Sequence, residues 1–162
     1  FYLGFTIGIS PIVGFQYGAG DKQKLRNIYH TSFLFVAVSS VFMAVIAIIL
    51  SPAIVTIFTD DPATYELAAV GFRLFAINFL FSGISITSSG FFTALSNGTI
   101  SAVISFCRTL GFIVLSLLIL PKFLGITGAW IAIPVAEFCT LLVTGVMHFV
   151  YFWKPGIRNY LR

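Results

Sequence analysis

The sequence predicts an all-α membrane protein, a polytopic bundle of transmembrane helices. Of its 162 residues, 59% are hydrophobic and only 9% are charged, and the mean hydropathy is +1.05. Such a chain has too few polar side chains to cover a water-soluble globule. Residues 31–59, 74–107 and 138–153 contain no Asp, Glu, Lys or Arg, so these uncharged runs reach or approach the ~20 residues that a spanning helix needs.

About five transmembrane spans are expected from these runs and from the residues that separate them. Gly18-Ala19-Gly20 suits a left-handed C-cap that ends the first span, and Asp21 can begin the next element. The second span is expected to end near Ser51-Pro52. Asp61 is a good N-cap with Pro62 behind it, so the third span begins shortly after. The expected spans are 1–19, 31–52, 67–95, 100–120 and 126–151.

The last three spans are separated by short turns. Ser96-Asn97-Gly98 is so brief a turn signal that the third and fourth spans are expected to run antiparallel, side by side. Leu120-Pro121 ends the fourth span, and the fifth begins near Gly125. Since no linker indicates a second soluble domain, residues 1–162 are interpreted as one unit in the lipid bilayer.

The distribution of Lys and Arg among the loops predicts the orientation, because cytoplasmic loops carry the excess of basic residues. The loop between the second and third spans carries Asp60, Asp61 and Glu66 without a base, so it is expected to face outward. The loop after the first span and the C-terminal tail are basic, which places residue 162 in the cytoplasm. Their basic residues are Lys22, Lys24, Arg26, Lys154, Arg158 and Arg162.

Charge and cysteine content exclude several other classes of protein. The net charge of +4 is accounted for by the basic loops, so no nucleic-acid partner is expected. Cys107 and Cys139 lie within apolar spans and lack metal-ligand spacing, so neither a metal site nor a disulfide is expected. The chain opens at Phe1 in apolar sequence without the basic flank and cleavage site of a signal peptide. We expect it to be an excerpt of a longer membrane protein.

No enzyme or cofactor is expected, because the sequence lacks GxSxG, HExxH, P-loop and GxGxxG motifs. Polar groups inside the membrane are costly there and therefore count as functional hypotheses. Glu137 is the strongest of them, because it lies about eleven residues into the fifth span. Its carboxyl group either exchanges a proton for a cationic ligand or pairs with a base and joins helices.

Two arginines accompany Glu137 within the predicted spans. Arg73 lies on the same outer side and either pairs with Glu137 or extends its side chain to the outer surface. Arg108, with Ser101 and Ser105 one and two turns back on its face, either closes a cytoplasmic gate or anchors the topology.

Uncharged residues complete the candidate pathway for a substrate or ion. Asn78 and Ser82 belong to an unusually polar third span, whose side chains either line a wet path or bond across helices. Trp130 either offers a cation–π surface to an organic cation or packs against other residues. Pro11 and Pro134 interrupt their helices and are expected to bend them. His148 is interpreted as an interfacial residue.

Three stretches together carry a family resemblance. They are GISPIVGFQYGAGDKQKLR at 8–26, FFTALSNGTISAVISFCR at 91–108 and LPKFLGITGAWIAIPVAEF at 120–138. Their order and spacing resemble the end of helix eight, the junction of helices ten and eleven, and the entry into helix twelve of multidrug and toxic compound extrusion (MATE) transporters. The resemblance covers essentially the whole chain and agrees with the orientation that the charges predict.

The resemblance implies a twelve-helix protein of two lobes, of which this chain is a partial C-terminal lobe with helices eight to twelve. The N-terminal lobe of the same polypeptide is then its partner. The family implies antiport in the plasma (inner) membrane: inward Na⁺ or H⁺ drives export of organic, often cationic compounds by alternating access. Some members carry a cation-binding carboxylate on helix ten, but the third span has no acid below Glu66. The coupling ion therefore stays open between Na⁺ and H⁺.

Two alternatives remain at this point. Exporters of lipid-linked oligosaccharides or polysaccharides share the two-lobe fold, and more basic residues facing the cavity would favour that function. A membrane subunit without transport activity is the other alternative, although it would not need the prolines and small residues within these helices.

Overall fold

The computed structural model describes residues 1–153, with the side chains of 152 and 153 left aside. In this part of the chain the structure is entirely helices and short connections, which confirms the all-α fold class. The tail with Lys154, Arg158 and Arg162 lies outside the described residues. The elements are α1 (Tyr2–Gly18), α2 (Lys22–Phe58), α3 (Pro62–Ala76), α4 (Phe79–Ala94), α5 (Gly98–Phe106), a π-helical segment (Cys107–Phe112) and α6 (Ile113–Trp153).

The first two helices meet at the predicted turn. Gly20 adopts a positive φ of 70°, which glycine tolerates at little cost. Asp21 then caps α2 by accepting a hydrogen bond from the backbone N–H of Lys24 at 3.0 Å. α2 continues past Pro52, where the sequence predicted an end, and reaches Phe58. The buried Ser51 hydroxyl donates to the carbonyl oxygen of Ala69 in α3 at 3.3 Å, which holds this region of α2 against its neighbour.

The predicted third span is two helices joined at a bend. Asp61 caps α3 as expected, since its carboxylate accepts from the Thr64 N–H at 2.9 Å, and Pro62 occupies the first turn. α3 and α4 are inclined to each other by 43°. At the bend the Asn78 N–H donates to the Phe75 carbonyl at 2.9 Å, a tighter turn than the α-helical pattern.

The fourth and fifth spans form a hairpin about Gly125. The helical run Gly98–Tyr151 is 54 residues long, but Gly125 interrupts it with φ 59° and ψ −138°. Asn97 Nδ2 donates to Tyr151 Oη at 2.5 Å, and Arg108 pairs with Glu137. The second pair lies nested within the first on either side of Gly125, so the two arms run antiparallel.

The helices differ in whether they are long enough to cross a membrane. Lys22–Phe58 and Gly98–Tyr151 are long and apolar enough to cross a membrane, and α3 with α4 makes a third candidate if the bent pair is one span. Each arm of the hairpin is about 40 Å long at 1.5 Å per residue. α1 has 17 residues, about 26 Å, and is slightly shorter than the hydrocarbon core.

α4 is the central helix and packs against α1, α2, α5 and α6. Phe91 lies in one apolar cluster with Val13 and Leu25, and Phe92 lies in a second with Ile100 and Ile104. Elsewhere the buried face of α4 is small and polar. Its buried members are Ser82, Gly83, Ser85, Thr87 and Ser88.

Candidate functional site

An ion pair between Arg108 and Glu137 lies inside the hairpin. Arg108 Nη1 is 3.4 Å from Glu137 Oε1, and the side chains are 26% and 4% exposed. Arg108 is about 15 Å along its arm from Gly98 at the helical rise, near the middle of that arm. Removing either partner from such a pair leaves a poorly solvated charge, whereas the intact pair is neutral overall.

The backbone around Arg108 departs from the α-helix. Cys107–Phe112 is π-helical, so one extra residue is accommodated between α5 and α6. Such segments are rare and occur often at functional sites. Here the π-helical segment carries Arg108, which pairs with Glu137 of α6.

A chain of hydroxyl groups joins α4 to α5 on the side of the pair nearer the Ser96-Asn97-Gly98 turn. Ser89 Oγ lies 2.9 Å from Ser101 Oγ and 2.8 Å from Ser105 Oγ. Thr93 Oγ1 donates to Ser101 Oγ at 2.7 Å. The four hydroxyls therefore form a continuous hydrogen-bonded series that stops one helical turn before Arg108.

A groove of about 170 Å³ opens where this series meets Arg108. Its polar lining consists of Thr6 of α1, Ser89, Ser105 and Arg108. Gly90 of α4 forms part of the same wall, and a Cβ there would collide with Thr6 Cγ2. The absence of a side chain at Gly90 thus lets α1 approach α4 beside the groove.

The structure decides between two partners for Glu137. Arg73 was one candidate from the sequence, but its side chain is exposed on α3, and Arg108 holds the carboxylate. Glu137 Oε2 is buried and makes no hydrogen bond within residues 1–153. The carboxylate is therefore only half satisfied by the protein groups that the structure describes.

The other predicted pathway residues are spread over the bundle. Asn78 lies at the α3–α4 bend, with Oδ1 buried and unbonded among the described groups. Ser82 is 5% exposed on the central face of α4. Trp130 packs directly on Gly71 of α3, where a Cβ would collide with its indole ring. None of these three contributes to the lining of the groove at Arg108.

The two prolines differ in their surroundings. Pro11 lies inside α1 and is exposed, whereas Pro134 lies inside α6 and is buried. Pro134 precedes Glu137 by one turn, so it adjoins the ion pair.

His148 is surrounded by aromatic side chains that sequence reasoning did not connect to it. Its ring centroid lies 4.9 Å from Phe92, 5.5 Å from Phe33 and 5.8 Å from Tyr29, and Nδ1 is 2.9 Å from the Thr144 carbonyl oxygen. His148, which was expected at the membrane interface, is therefore packed among aromatic side chains. The spacing of Tyr29 and Phe33, four residues apart on α2, is a sequence signal that could have indicated this aromatic face.

The fold and its interior define a class, a polytopic helical membrane protein with a charged pair and hydroxyl groups inside its bundle. The model of the MatE family matches residues 1–118. That match covers more than half of the chain, and the chain belongs to the MatE family.

Individual relatives agree with this assignment. The chain is 28% identical over 143 residues to human multidrug and toxin extrusion protein 1, a match that covers 85% of this chain and 24% of the human protein. It is 22% identical over 130 residues to the probable multidrug resistance protein NorM of Thermotoga maritima, covering 79% of this chain and 28% of NorM. The chain thus spans about a quarter of the length of these relatives.

A solved structure shares the fold. The crystal structure of the Vibrio cholerae MATE transporter VcmN in its bent form superposes with a TM-score of 0.79 at 18% identity, over 87% of this chain and 32% of VcmN. At this identity the likeness establishes the helical arrangement alone.

Proposed function

We propose that the chain is part of a transporter that exports organic, often cationic, drugs and toxic compounds. The observation that carries this proposal is the MatE family match over residues 1–118. The printed names of the relatives, a multidrug and toxin extrusion protein and a probable multidrug resistance protein, support the same activity. The proposal is transport without catalysis, in the plasma membrane and with residue 162 in the cytoplasm.

The chain contributes a partial C-terminal lobe in this proposal, and an N-terminal lobe of the same polypeptide completes the transporter. Transport then proceeds by alternating access, as one lobe rocks against the other around the substrate. The α3–α4 junction is bent by 43°, and Pro11 and Pro134 are the further positions where we propose that these helices bend. Asn78, Ser82 and Trp130 are the proposed substrate contacts outside the ion pair.

Inward Na⁺ or H⁺ supplies the driving force in this proposal, and Glu137 is the residue that responds to it. A carboxylate in a medium of low dielectric is stabilised by a nearby cation. Arg108 is that cation in the structure, and a coupling ion that binds or protonates the carboxylate would compete with it. Binding of the ion would then loosen the link between the arms of the hairpin.

The geometry adds no support for export of anionic lipid-linked sugars. That function would need uncompensated basic groups directed at a cavity. In the described part of the chain, Arg108 lines the groove but is compensated by Glu137, and Arg73 is exposed on α3.

Dye accumulation tests the proposed activity. The intact protein that contains this chain is expressed in a drug-sensitive bacterium, and uptake of a fluorescent organic cation is followed with and without an ionophore. We expect expression to lower dye accumulation and the ionophore to abolish the difference. Unchanged accumulation across a broad dye panel would contradict the proposal.

Substitution at Glu137 tests its role. The doubly neutral variant Arg108→Gln, Glu137→Gln keeps a pair of polar side chains without isolating a charge, and we expect it to fold but to lose ion-dependent export. Glu66→Gln, at an exposed acid of α3, is the matched control and should export normally. Full export by the double variant, normalised to folded protein, would exclude Glu137 as the coupling residue.

A further inference from the structure

The hydroxyl series between α4 and α5 has the geometry of a relay. Ser89 Oγ lies between Ser101 Oγ and Ser105 Oγ, and in both contacts either oxygen can be the donor. A hydroxyl donates one hydrogen and accepts through two lone pairs. The direction of the series from Ser101 through Ser89 to Ser105 can therefore be reversed by rotating the hydroxyl groups.

Water can continue the series toward Arg108. The groove beside Ser89, Ser105 and Arg108 has a volume of about 170 Å³, well above the ~10–15 Å³ that one water needs. Its hydroxyl and guanidinium groups offer the two to four polar partners that a stable water needs. Ser105 and Arg108 are three residues apart in the chain, so one face of the arm carries both.

Arg108, which lines the groove, is paired with an incompletely bonded carboxylate. Glu137 Oε2 is buried without a hydrogen bond in the described part of the chain, and the side chain is 4% exposed. A buried carboxylate oxygen without a partner is costly. A water or a proton is the smallest ligand that would satisfy it.

We infer that Thr93, Ser101, Ser89 and Ser105, together with a hydrated groove at Arg108, form a proton path between Glu137 and the Ser96-Asn97-Gly98 turn, through which a proton taken up from outside is released to the cytoplasm. The inference rests on the proposed ion-coupled transport and makes the proton the coupling ion. Hydroxyl groups that served only to join α4 to α5 would not need the groove beside them.

The proton transfer balances along this path. A proton leaves the neutral carboxyl group of Glu137 at Oε2, each water or hydroxyl accepts one proton and passes on its own, and a water at the turn becomes a hydronium ion. The carboxyl group becomes a carboxylate while Arg108 keeps its positive charge. The guanidinium N–H groups, which turn to the oxygens of Thr6, Ser89 and Ser105 and to water in the groove while Glu137 is protonated, then return to the carboxylate.

Few other ionisable groups act on Glu137. α4 and α5, which both pack on α6, carry no Asp, Glu, Lys, Arg, His, Cys or Tyr. α6 itself carries Lys122, Cys139, His148 and Tyr151, the π-helical segment carries Cys107 and Arg108, and α3 carries Tyr65, Glu66 and Arg73.

Cysteine accessibility tests the hydrated path without requiring transport. In the intact protein with Cys107 and Cys139 replaced by alanine, Ser101→Cys and Ser105→Cys are exposed to a membrane-impermeant methanethiosulfonate in vesicles of each orientation. Val103→Cys is the matched control, because it lies between them in the chain on the outer face of the bundle. We expect both serine positions to react at least about tenfold faster than Val103→Cys, since thiolates form in water and not in apolar surroundings. Equal, slow reaction at all three positions would overturn the path.

Proton-driven export tests what the path carries. Ser89→Ala interrupts the series at its centre, whereas Ser10→Ala removes a hydroxyl that donates to the Thr6 carbonyl of its own helix. We expect Ser89→Ala to slow pH-gradient-driven dye export about tenfold with unchanged folded protein, and Ser10→Ala to match the parent. Unimpaired export by Ser89→Ala, or export driven by Na⁺ alone, would overturn the proton role. Absence of export from the parent would instead overturn the proposed function, and the cysteine reaction would still decide the path.

Discussion

The contact of Gly71 with Trp130 makes a sharp prediction about how α3 docks on α6. A Cβ built on Gly71 would collide with Trp130 Cε2 and Cδ2 and lie 2.7 Å from Cζ2. Ordinary carbon contacts begin at about 3.5 Å, so in Gly71→Ala the ring or the helix must withdraw by roughly 1 Å. Such overpacking costs about 1–3 kcal/mol, offset by about 0.5–1 kcal/mol from the higher helix propensity of alanine.

A thermal melt of the purified intact protein in detergent measures this effect. We expect Gly71→Ala to lower the melting temperature by about 1–2 °C, because the shift per kcal/mol falls with chain length and the relatives are about four times as long as this chain. Gly8→Ala is the control, because nothing lies within 4 Å of its Cβ position in α1, and it should melt unchanged or slightly higher.

A double-mutant cycle decides whether the indole ring is the cause. Trp130→Leu removes the colliding atoms, so adding Gly71→Ala to it should cost much less than in the parent. Equal melting of Gly71→Ala and Gly8→Ala, or strict additivity with Trp130→Leu, would refute the packing argument.

Two further predictions concern charged groups. Glu137→Gln alone leaves Arg108 unpaired and should destabilise the protein by about 2 kcal/mol, less than for a fully buried pair because Arg108 is a quarter exposed. Adding Arg108→Gln should recover most of this loss of stability in the same melt. A larger loss in the double variant would contradict the pairing. Hydrogen bonds from Lys24 hold the pKa of Asp21 below its ordinary value, so its contribution to stability is complete above that ordinary value and is lost as pH falls through the lowered pKa. Melts of the parent between about pH 6 and 3 should therefore fall more than those of Asp21→Asn, and identical pH profiles would count against the cap.

Local signals in the sequence predicted much of the fold. Caps at Asp21 and Asp61 and the turn at Gly20 depend on residues within one or two turns of the chain, so pattern alone located them. The end expected at Pro52 was wrong because packing against α3 supports a continuous α2. The bend at Asn78 was not expected, since no proline or glycine marks it.

By itself, the sequence determined that this protein is an all-α bundle, where most of its helices begin and end, and which polar residues lie inside apolar stretches. These properties follow from composition, hydropathy and local capping. Only the tertiary structure decided that Arg108, and not Arg73, is the partner of Glu137, and that four hydroxyls of α4 and α5 meet in a series. Such pairings depend on how the hairpin about Gly125 and the π-helical segment rotate each arm, and side-chain contacts across helices cannot be read from spacing along one helix.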